Sequence, residues 1–320
     1  MKQKCCAVVL VNNDKYKTTM HNIRTNFNKF YRICKELFEK EVNSRNNFQF
    51  YPVDPKMNDL QIVALSCCME ALGIDSENLL WSKLKTDYAD SFKNLIDRSR
   101  FNRRRKRLSA SIERVQHHVG KRLEHLSSAM IVDGIPVPVV KLVREKAFRA
   151  FRNDFETASA KGYSAVNRSW YIGYKLHMVI FENGVIQQGA ITKANVHDIN
   201  FLKQIEDLPV NKEMLGDRAY ISQTVQADLF ESYQVKLKVP FRYNQHEYRK
   251  YSRKNRSRRQ MVETVFAQLC DHLNLKKNYA KTYAGIAARL TSKLSGVSIL
   301  QLINFQNGNK LSKIKHALSF

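Results

Sequence analysis

Acidic residues are scarce in this 320-residue chain: 29 Asp and Glu face 54 Lys and Arg, a formal net charge of +25. Such an excess repels itself unless a polyanion neutralises it, which makes nucleic acid the leading partner. Proline and glycine are sparse too, at 6 and 11 residues, and no internal repeat or low-complexity linker occurs, so collagen-like and linker-rich architectures are excluded. The six cysteines include the adjacent pairs Cys5–Cys6 and Cys67–Cys68 but no Cys-x-x-Cys spacing. Neither a zinc site nor a disulfide framework is signalled. Cys34, Cys67 and Cys68 fall in apolar helical patterns, where a reduced thiol acts as a small hydrophobe. Long apolar runs are also missing, and the stretch Cys6 to Val11 is far too short to span a bilayer. Met1-Lys2-Gln3-Lys4 and that stretch mimic a secretory leader faintly, yet Asn12-Asn13-Asp14-Lys15 offers no small-residue cleavage site. Residues 1–16 are therefore read as an N-terminal extension on a cytoplasmic protein with no membrane partner.

What is present fits a globular chain. Apolar residues make up 43% and charged residues 26%, and the length suits two domains of roughly 150 residues each. Residues 17–126 read as helical. From Thr18 to Glu41, Ile23, Phe27, Phe30, Cys34, Leu37 and Phe38 recur at helical period. A second helix starts at Asn58 or Asp59, carries Leu60, Val63, Ala64, Cys67 and Ala71, and stops at Gly73. A third, capped by Asp75 or Ser76, carries Leu79, Leu80 and Leu84. Two helices across a short Gly-containing turn outline a helix-turn-helix, which helical proteins that never touch DNA also contain. The run Arg103, Arg104, Arg105, Lys106 and Arg107 suits phosphate contacts or, as the plainer reading, a solvated face. Ile112, Val115, Val119 and Leu123 mark a further helix.

From about residue 127 to 306 the pattern turns to α/β, with residues 307–320 left as a basic C-terminal tail. Met130-Ile131-Val132 is a short strand ending in Asp133, and the prolines at 136 and 138 stop it. Trp170 to Phe181 and Val185 to Thr192 form a hairpin around Asn183-Gly184. A helix near Asp198 to Leu208, a strand Met214-Leu215-Gly216 ending in Asp217, a helix from Ser222 to Ser232, a strand at 235–239 and a helix from about Arg258 to Leu273 follow. The expected architecture is a mixed sheet flanked by helices, preceded by an all-α module.

Asp133 and Asp217 each end a short apolar strand, and ligand sites of open α/β sheets gather at such ends. Glu263 sits beside the buried stripe of the last helix and can lean toward the sheet. Ahead of it lie Arg249, Lys250, Arg253, Lys254, Arg256, Arg258 and Arg259, a basic stretch suited to a phosphodiester backbone. Three converging carboxylates repel and protonate one another unless a cation intervenes. Hard oxygen ligands suit Mg²⁺ or, as a substitute, Mn²⁺, and two such ions can activate an attacking oxygen and stabilise a leaving one. Each acid has a plainer reading as well: a strand-end Asp as a turn former or helix cap, and Glu263 as the partner of Arg259 one turn away. Asp198, in Asn195-Val196-His197-Asp198, sits where a helix cap belongs. His177 either faces the pocket or packs, and Trp170 and Tyr171 either stack on a base or belong to the core.

The segments Ile131-Val132-Asp133, Gly173-Tyr174-Lys175-Leu176-His177, Asn195-Val196-His197-Asp198, Gly216-Asp217-Arg218-Ala219-Tyr220 and Arg259-x-x-x-Glu263-Thr264-Val265-Phe266 together resemble the DDE transposases of bacterial insertion sequences, and among these the insertion sequence 982 family. The resemblance implies an RNase H-like catalytic domain in which Asp133, Asp217 and Glu263 hold two Mg²⁺ ions, with His177, His197, Asp198 and Tyr220 around them. It implies an N-terminal domain reading terminal inverted repeats, double-stranded DNA as end and target, a homodimer or larger assembly joining two ends, no nucleotide cofactor, and a place on the bacterial nucleoid. Related families carry Tyr-x-x-Arg-x-x-x-Glu-x-x-x-x-x-x-Lys. Here Arg259 and Glu263 match, whereas Arg256 and Cys270 stand at the Tyr and Lys positions. A DNA-binding regulator without catalysis and a metal-dependent nuclease of the same fold are the rival readings.

Overall fold

A computed structural model describes residues 22–151, 154–166, 168–242, 248 and 250–319. Residues 1–16, read as an extension, lie outside the described residues. Five helices come first: α1 (Ile23–Leu37), α2 (Asp59–Ala71), α3 (Glu77–Thr86), α4 (Arg98–Arg107) and α5 (Ser109–Leu123). Local chemistry sets their ends. Asn58 and Gln61 form a reciprocal capping box on α2. Gly73, at φ +69°, closes that helix in the left-handed conformation, with the Ile74 N–H reaching the Met69 carbonyl at 2.9 Å. The Ser76 hydroxyl accepts from the Leu79 N–H and starts α3. The cationic run is itself helical, as α4.

The second half contains β1 (Ala129–Val140), β2 (Ala160–Ser164), β3 (Ser169–Phe181), β4 (Ile186–Lys193), the one-turn α6 (Ile199–Leu202), β5 (Glu213–Leu215), α7 (Gln223–Tyr233), β6 (Lys236–Lys238), α8 (Arg253–Asp271) and α9 (Tyr283–Gln306). The strands form one mixed sheet in the order β2-β3-β1-β5-β6, with β4 also paired to β3. β1 runs antiparallel to β3 and parallel to β5. The expected mixed sheet flanked by helices is what the chain forms.

Several expectations need correction. β1 does not stop at Asp133 but continues through both prolines to Val140. Its pairing with β5 ends at Ile131, so beyond that point one edge of β1 is open. Residues 136 and 138 share a parity, and an edge position tolerates their missing N–H groups. The helix expected over 198–208 is only the four residues of α6. β2 and α9 were not foreseen. α9 is buried on nearly every side, so it lacks the polar stripe that marks a surface helix. Its hydroxyls are satisfied internally: Ser292 donates to the Ala288 carbonyl at 2.6 Å, and Ser295 to the Ile112 carbonyl at 2.6 Å. Gly296 lets α2 come close, since a Cβ there would sit 2.9 Å from the Cys67 carbonyl oxygen.

α9 packs against α2 and α5 as well as β4, so the helical half and the sheet share one continuous apolar core. The basic end of the chain folds back too. Ile314, Ala317 and Leu318 are buried, and the Ser319 carbonyl accepts from Asn22 and Asn26 at the start of α1. Cys34, Cys67 and Cys68 are free thiols within the core, where burial pushes the Cys34 thiol up to about 12. No helix among the described residues is long and apolar enough to cross a membrane.

Candidate active site

β1 and β5 bring Asp133 and Asp217 together. Ile131 pairs with Leu215 in the parallel register, and each aspartate follows two residues later on its own chain segment. Asp133 lies within β1 opposite Met178 of β3, just past the point where β5 ceases to cover the strand. Asp217 follows β5 and caps a short 3-10 turn, its Oδ1 accepting from the Ala219 N–H at 2.8 Å. The capping reading and the pocket reading of Asp217 therefore coexist in one side chain. Gly216 makes room for this turn, because a Cβ there would stand 3.2–3.3 Å from Tyr220 and Val132.

The Asp133 carboxyl is electrostatically uneasy. Its pKa is raised to about 6, chiefly by burial and also by the Asp217 and Asp198 carboxylates. The Gly134 N–H at 2.8 Å and the Arg259 guanidinium at 3.4 Å offset only part of this. The Tyr220 hydroxyl is buried without a hydrogen-bond partner. Burial first, then Asp133, Asp198 and Asp217, hold its proton on. Carboxylates crowded into a poorly solvated spot suit a hard divalent cation, which would relieve the repulsion that raises Asp133.

The neighbouring motifs sort into distinct roles. Asp198 does not cap α6 with its side chain; it accepts from Lys175 Nζ at 2.7 Å. His197 Nδ1 faces the Ile199 N–H at 3.4 Å in its stead. His177 is fully buried, stacks on Phe201 at 5.2 Å, and joins Thr192 Oγ1 through Nε2 at 2.9 Å. Burial drives its pKa down to about 4, so the ring is neutral at pH 7. A Cβ at Gly134 would stand 3.0 Å from its Nδ1, which places the ring directly beside β1. The Lys175 anchor and the Thr192 contact were not foreseen, although strand alternation puts Lys175 and His177 on one face. Tyr171 is buried, whereas Trp170 is 54% exposed.

Glu263 is not drawn into this cluster. It is exposed on α8, one turn past Arg259, and among the described residues it does not perturb Asp133, which feels Asp217 and Asp198. No three His, Cys, Asp or Glu among the described residues are grouped so as to hold a metal ion. Of the cations ahead of it, Lys250, Arg253, Lys254 and Arg256 are exposed, while Arg249 lies outside the described residues. Arg258 is engaged by Glu182 at 2.6 Å and Glu213 at 3.1 Å, so it ties α8 to the base of the sheet. A 440 Å³ cavity lined by Asp217, Phe241, Lys250, Tyr251, Arg256 and Arg259 adjoins the acids.

The run on α4 is likewise divided. Arg103 and Arg107 are exposed, and Lys106 is partly so. Arg104 binds Asp59 at 2.6 Å. Arg105 departs from its expected place at a DNA surface: it is 1% exposed and holds the buried Glu70 at 2.6 Å. Burial of α2, which ends on these two acids, needs both cations inside the fold.

Residues 124–281 match the family model described as the transposase DDE domain. The match takes in every strand of the sheet, α8, and the positions of Asp133, Asp217 and Glu263. It supports a DDE-type transposase and hence a nuclease or transferase, of a class that generally depends on divalent metal. No curated protein and no solved structure matches the chain.

Proposed function

With a transposase DDE domain over residues 124–281 as premise, we propose that this chain is an insertion-sequence transposase with an RNase H-like catalytic domain, akin to the insertion sequence 982 family. It binds the terminal inverted repeats of its element through the N-terminal domain expected over residues 17–126, cleaves at the ends, and joins the freed 3′-OH to target DNA. The observation that carries the reading is the register of β1 and β5, which sets Asp133 beside Asp217 and leaves a crowded carboxyl at a pKa of about 6.

In this reading Asp133 and Asp217 are ligands of Mg²⁺, with Glu263 of α8 as the third, and two ions are engaged in all. The bound metal supplies Lewis acidity to the phosphodiester and to the attacking oxygen. The protein's own groups bind and orient. Arg259, already beside Asp133, steadies a phosphate near the scissile bond, and the exposed cations of residues 250–256 hold the flanking backbone. Lys175 fixes Asp198, and neutral His177 packs behind β1 and keeps the aspartate's strand in place. Cleavage forms a bond from water oxygen to phosphorus and releases the 3′ oxygen, which takes up a proton. Strand transfer repeats the displacement with that 3′-OH as nucleophile. A homodimer or larger complex brings two ends together.

Asp198 is a rival third ligand, because it and not Glu263 acts on Asp133 in this structure. The test is Mg²⁺-dependent nicking of element-end DNA by the wild type and by Asp133→Asn, Asp217→Asn, Glu263→Gln and Asp198→Asn. Loss in the first three with retained end binding supports the reading. Full cleavage by Asp133→Asn or Asp217→Asn overturns it, and loss in Asp198→Asn with activity kept in Glu263→Gln reassigns the third ligand.

A further inference from the structure

Three clefts that share no lining residue with the acid-side cavity run into one another through residues they line in common. The first, of 540 Å³, lies between the starts of α3 and α9 and is lined by Arg98, Lys106, Tyr279 and Lys281. Lys281 also lines the second, of 430 Å³, together with Lys141 and Arg144. Residues 139–141 pass into the third, of 450 Å³, which adds Trp170 and Lys276. The chain thus carries a continuous track from the helical half to the β2–β3 hairpin.

Its charge is one-sided. Lys106, Lys141, Arg144, Lys276 and Lys281 have no acidic partner within ion-pair distance among the described residues. The second and third clefts are lined by no acid at all. The first is lined by two acids, Asp75 and Glu77, against the cations Arg98, Arg105, Lys106, Lys281 and Arg289, and Glu77 is engaged by Arg98, Asn102 and Arg105. Behind it, Glu70 alone faces Arg105, Arg289 and Lys293, so the wall itself carries excess positive charge. A small anion would fill one compartment, whereas three linked compartments suit a polymer. Tyr279, 64% exposed, and Trp170, 54% exposed, stand at the two ends of the track and offer ring faces to sugar or base.

We propose that this track binds the sugar–phosphate backbone of duplex DNA, apart from the acids and apart from the cationic runs at 103–107 and 249–259 except for Arg105, in its wall, and Lys106. The inference rests on the transposase reading for its DNA partner. Electrostatic contacts of this kind release counterions, so log affinity falls with log salt by about 0.9 per phosphate contact.

The experiment measures binding of a fluorescein-labelled duplex across a salt series. It compares the full-length wild type, the triple variant Lys141→Glu/Arg144→Glu/Lys281→Glu, and the control Lys310→Glu/Lys313→Glu/Lys315→Glu, whose three positions are exposed and off the track. The track variant is expected to lose about 3 from the salt slope, while the control keeps the wild-type slope. Trp170 supplies a second readout, since the only other tryptophan, Trp81, is 4% exposed and donates to the Ile96 carbonyl. Duplex should change the emission of the wild type but not that of Trp170→Phe. A track variant with the wild-type slope, an equal loss in the control, or unchanged emission of the wild type on saturation overturns the proposal. A wild type that binds no duplex at all overturns the transposase reading itself.

Discussion

Two carboxylates in this molecule, one fully buried and one partly so, are treated in opposite ways. Glu70, at the end of α2, is fully buried and accepts from Arg105, Arg289 and Lys293, which together hold its pKa down at about 2 against the penalty of burial. Asp133 is less buried, yet burial and two neighbouring acids raise it to about 6, with Arg259 as its one cation among the described residues. The first group is over-satisfied by the fold. The second is left short of positive charge in the part of the chain that matches a transposase DDE domain. A carboxylate that the protein does not neutralise is available to a ligand, whereas one that three cations surround is a structural tie between α2, α4 and α9.

The contrast is easiest to break at its catalytic end. Asp133→Asn is expected to lower Mg²⁺-dependent nicking by several orders of magnitude while leaving the fold intact. A nicking assay beside circular dichroism measures both, and retained activity would remove Asp133 from the machinery. The next largest effect is on stability. Glu70→Ala strands three buried cations, and breaking such a network from one side costs about 3–5 kcal/mol. Urea unfolding reads this directly. A change below about 1 kcal/mol would mean that the cations relax outward and that Glu70 is not the tie described.

How far these sites could be read beforehand follows from the physics of each. Asp217, Glu263 and the hairpin at Asn183-Gly184 stand in local patterns that a sequence displays directly. The hairpin formed as expected, with Gly184 at φ +89° and Asn183 Oδ1 accepting from the Val185 N–H. The length of β1 did not follow from its prolines, because whether a proline interrupts a strand depends on which edge stays unpaired, a property of the whole sheet. Arg105 shows the same limit. Among five consecutive cations nothing local marks the one that turns inward, since its partners Glu70 and Ser292 come from α2 and α9. α9 itself escaped notice because an all-round buried helix shows no amphipathic period. The acids' shared edge, by contrast, followed from one short parallel register, Ile131 with Leu215.

Asp133→Asn should also stabilise the folded chain, by about 1–3 kcal/mol at pH 7, since a raised acid pKa means that the ionised form is disfavoured in the fold. Added Mg²⁺ should shrink this advantage by stabilising the wild type alone.

The smallest effects are those of pH, and their signs separate the two carboxylates. Glu70 has a folded pKa of about 2, below its ordinary value of 4.5. Its contribution is complete above 4.5 and is lost as pH falls toward 2. Asp133 has a folded pKa of about 6, above its ordinary value of 3.8. Its penalty is complete above about 6 and vanishes as pH falls through 3.8, where both states bind the proton. The stability gained by Asp133→Asn should therefore fade between pH 7 and pH 4, whereas the deficit of Glu70→Ala stays nearly unchanged down to pH 5 and shrinks only as pH drops below 4.5. Urea midpoints of the wild type and both variants at pH 7, 5 and 4 test this. Parallel shifts in the two variants would show that one common titration governs them, and the opposition between the over-satisfied and the under-satisfied carboxylate would not stand.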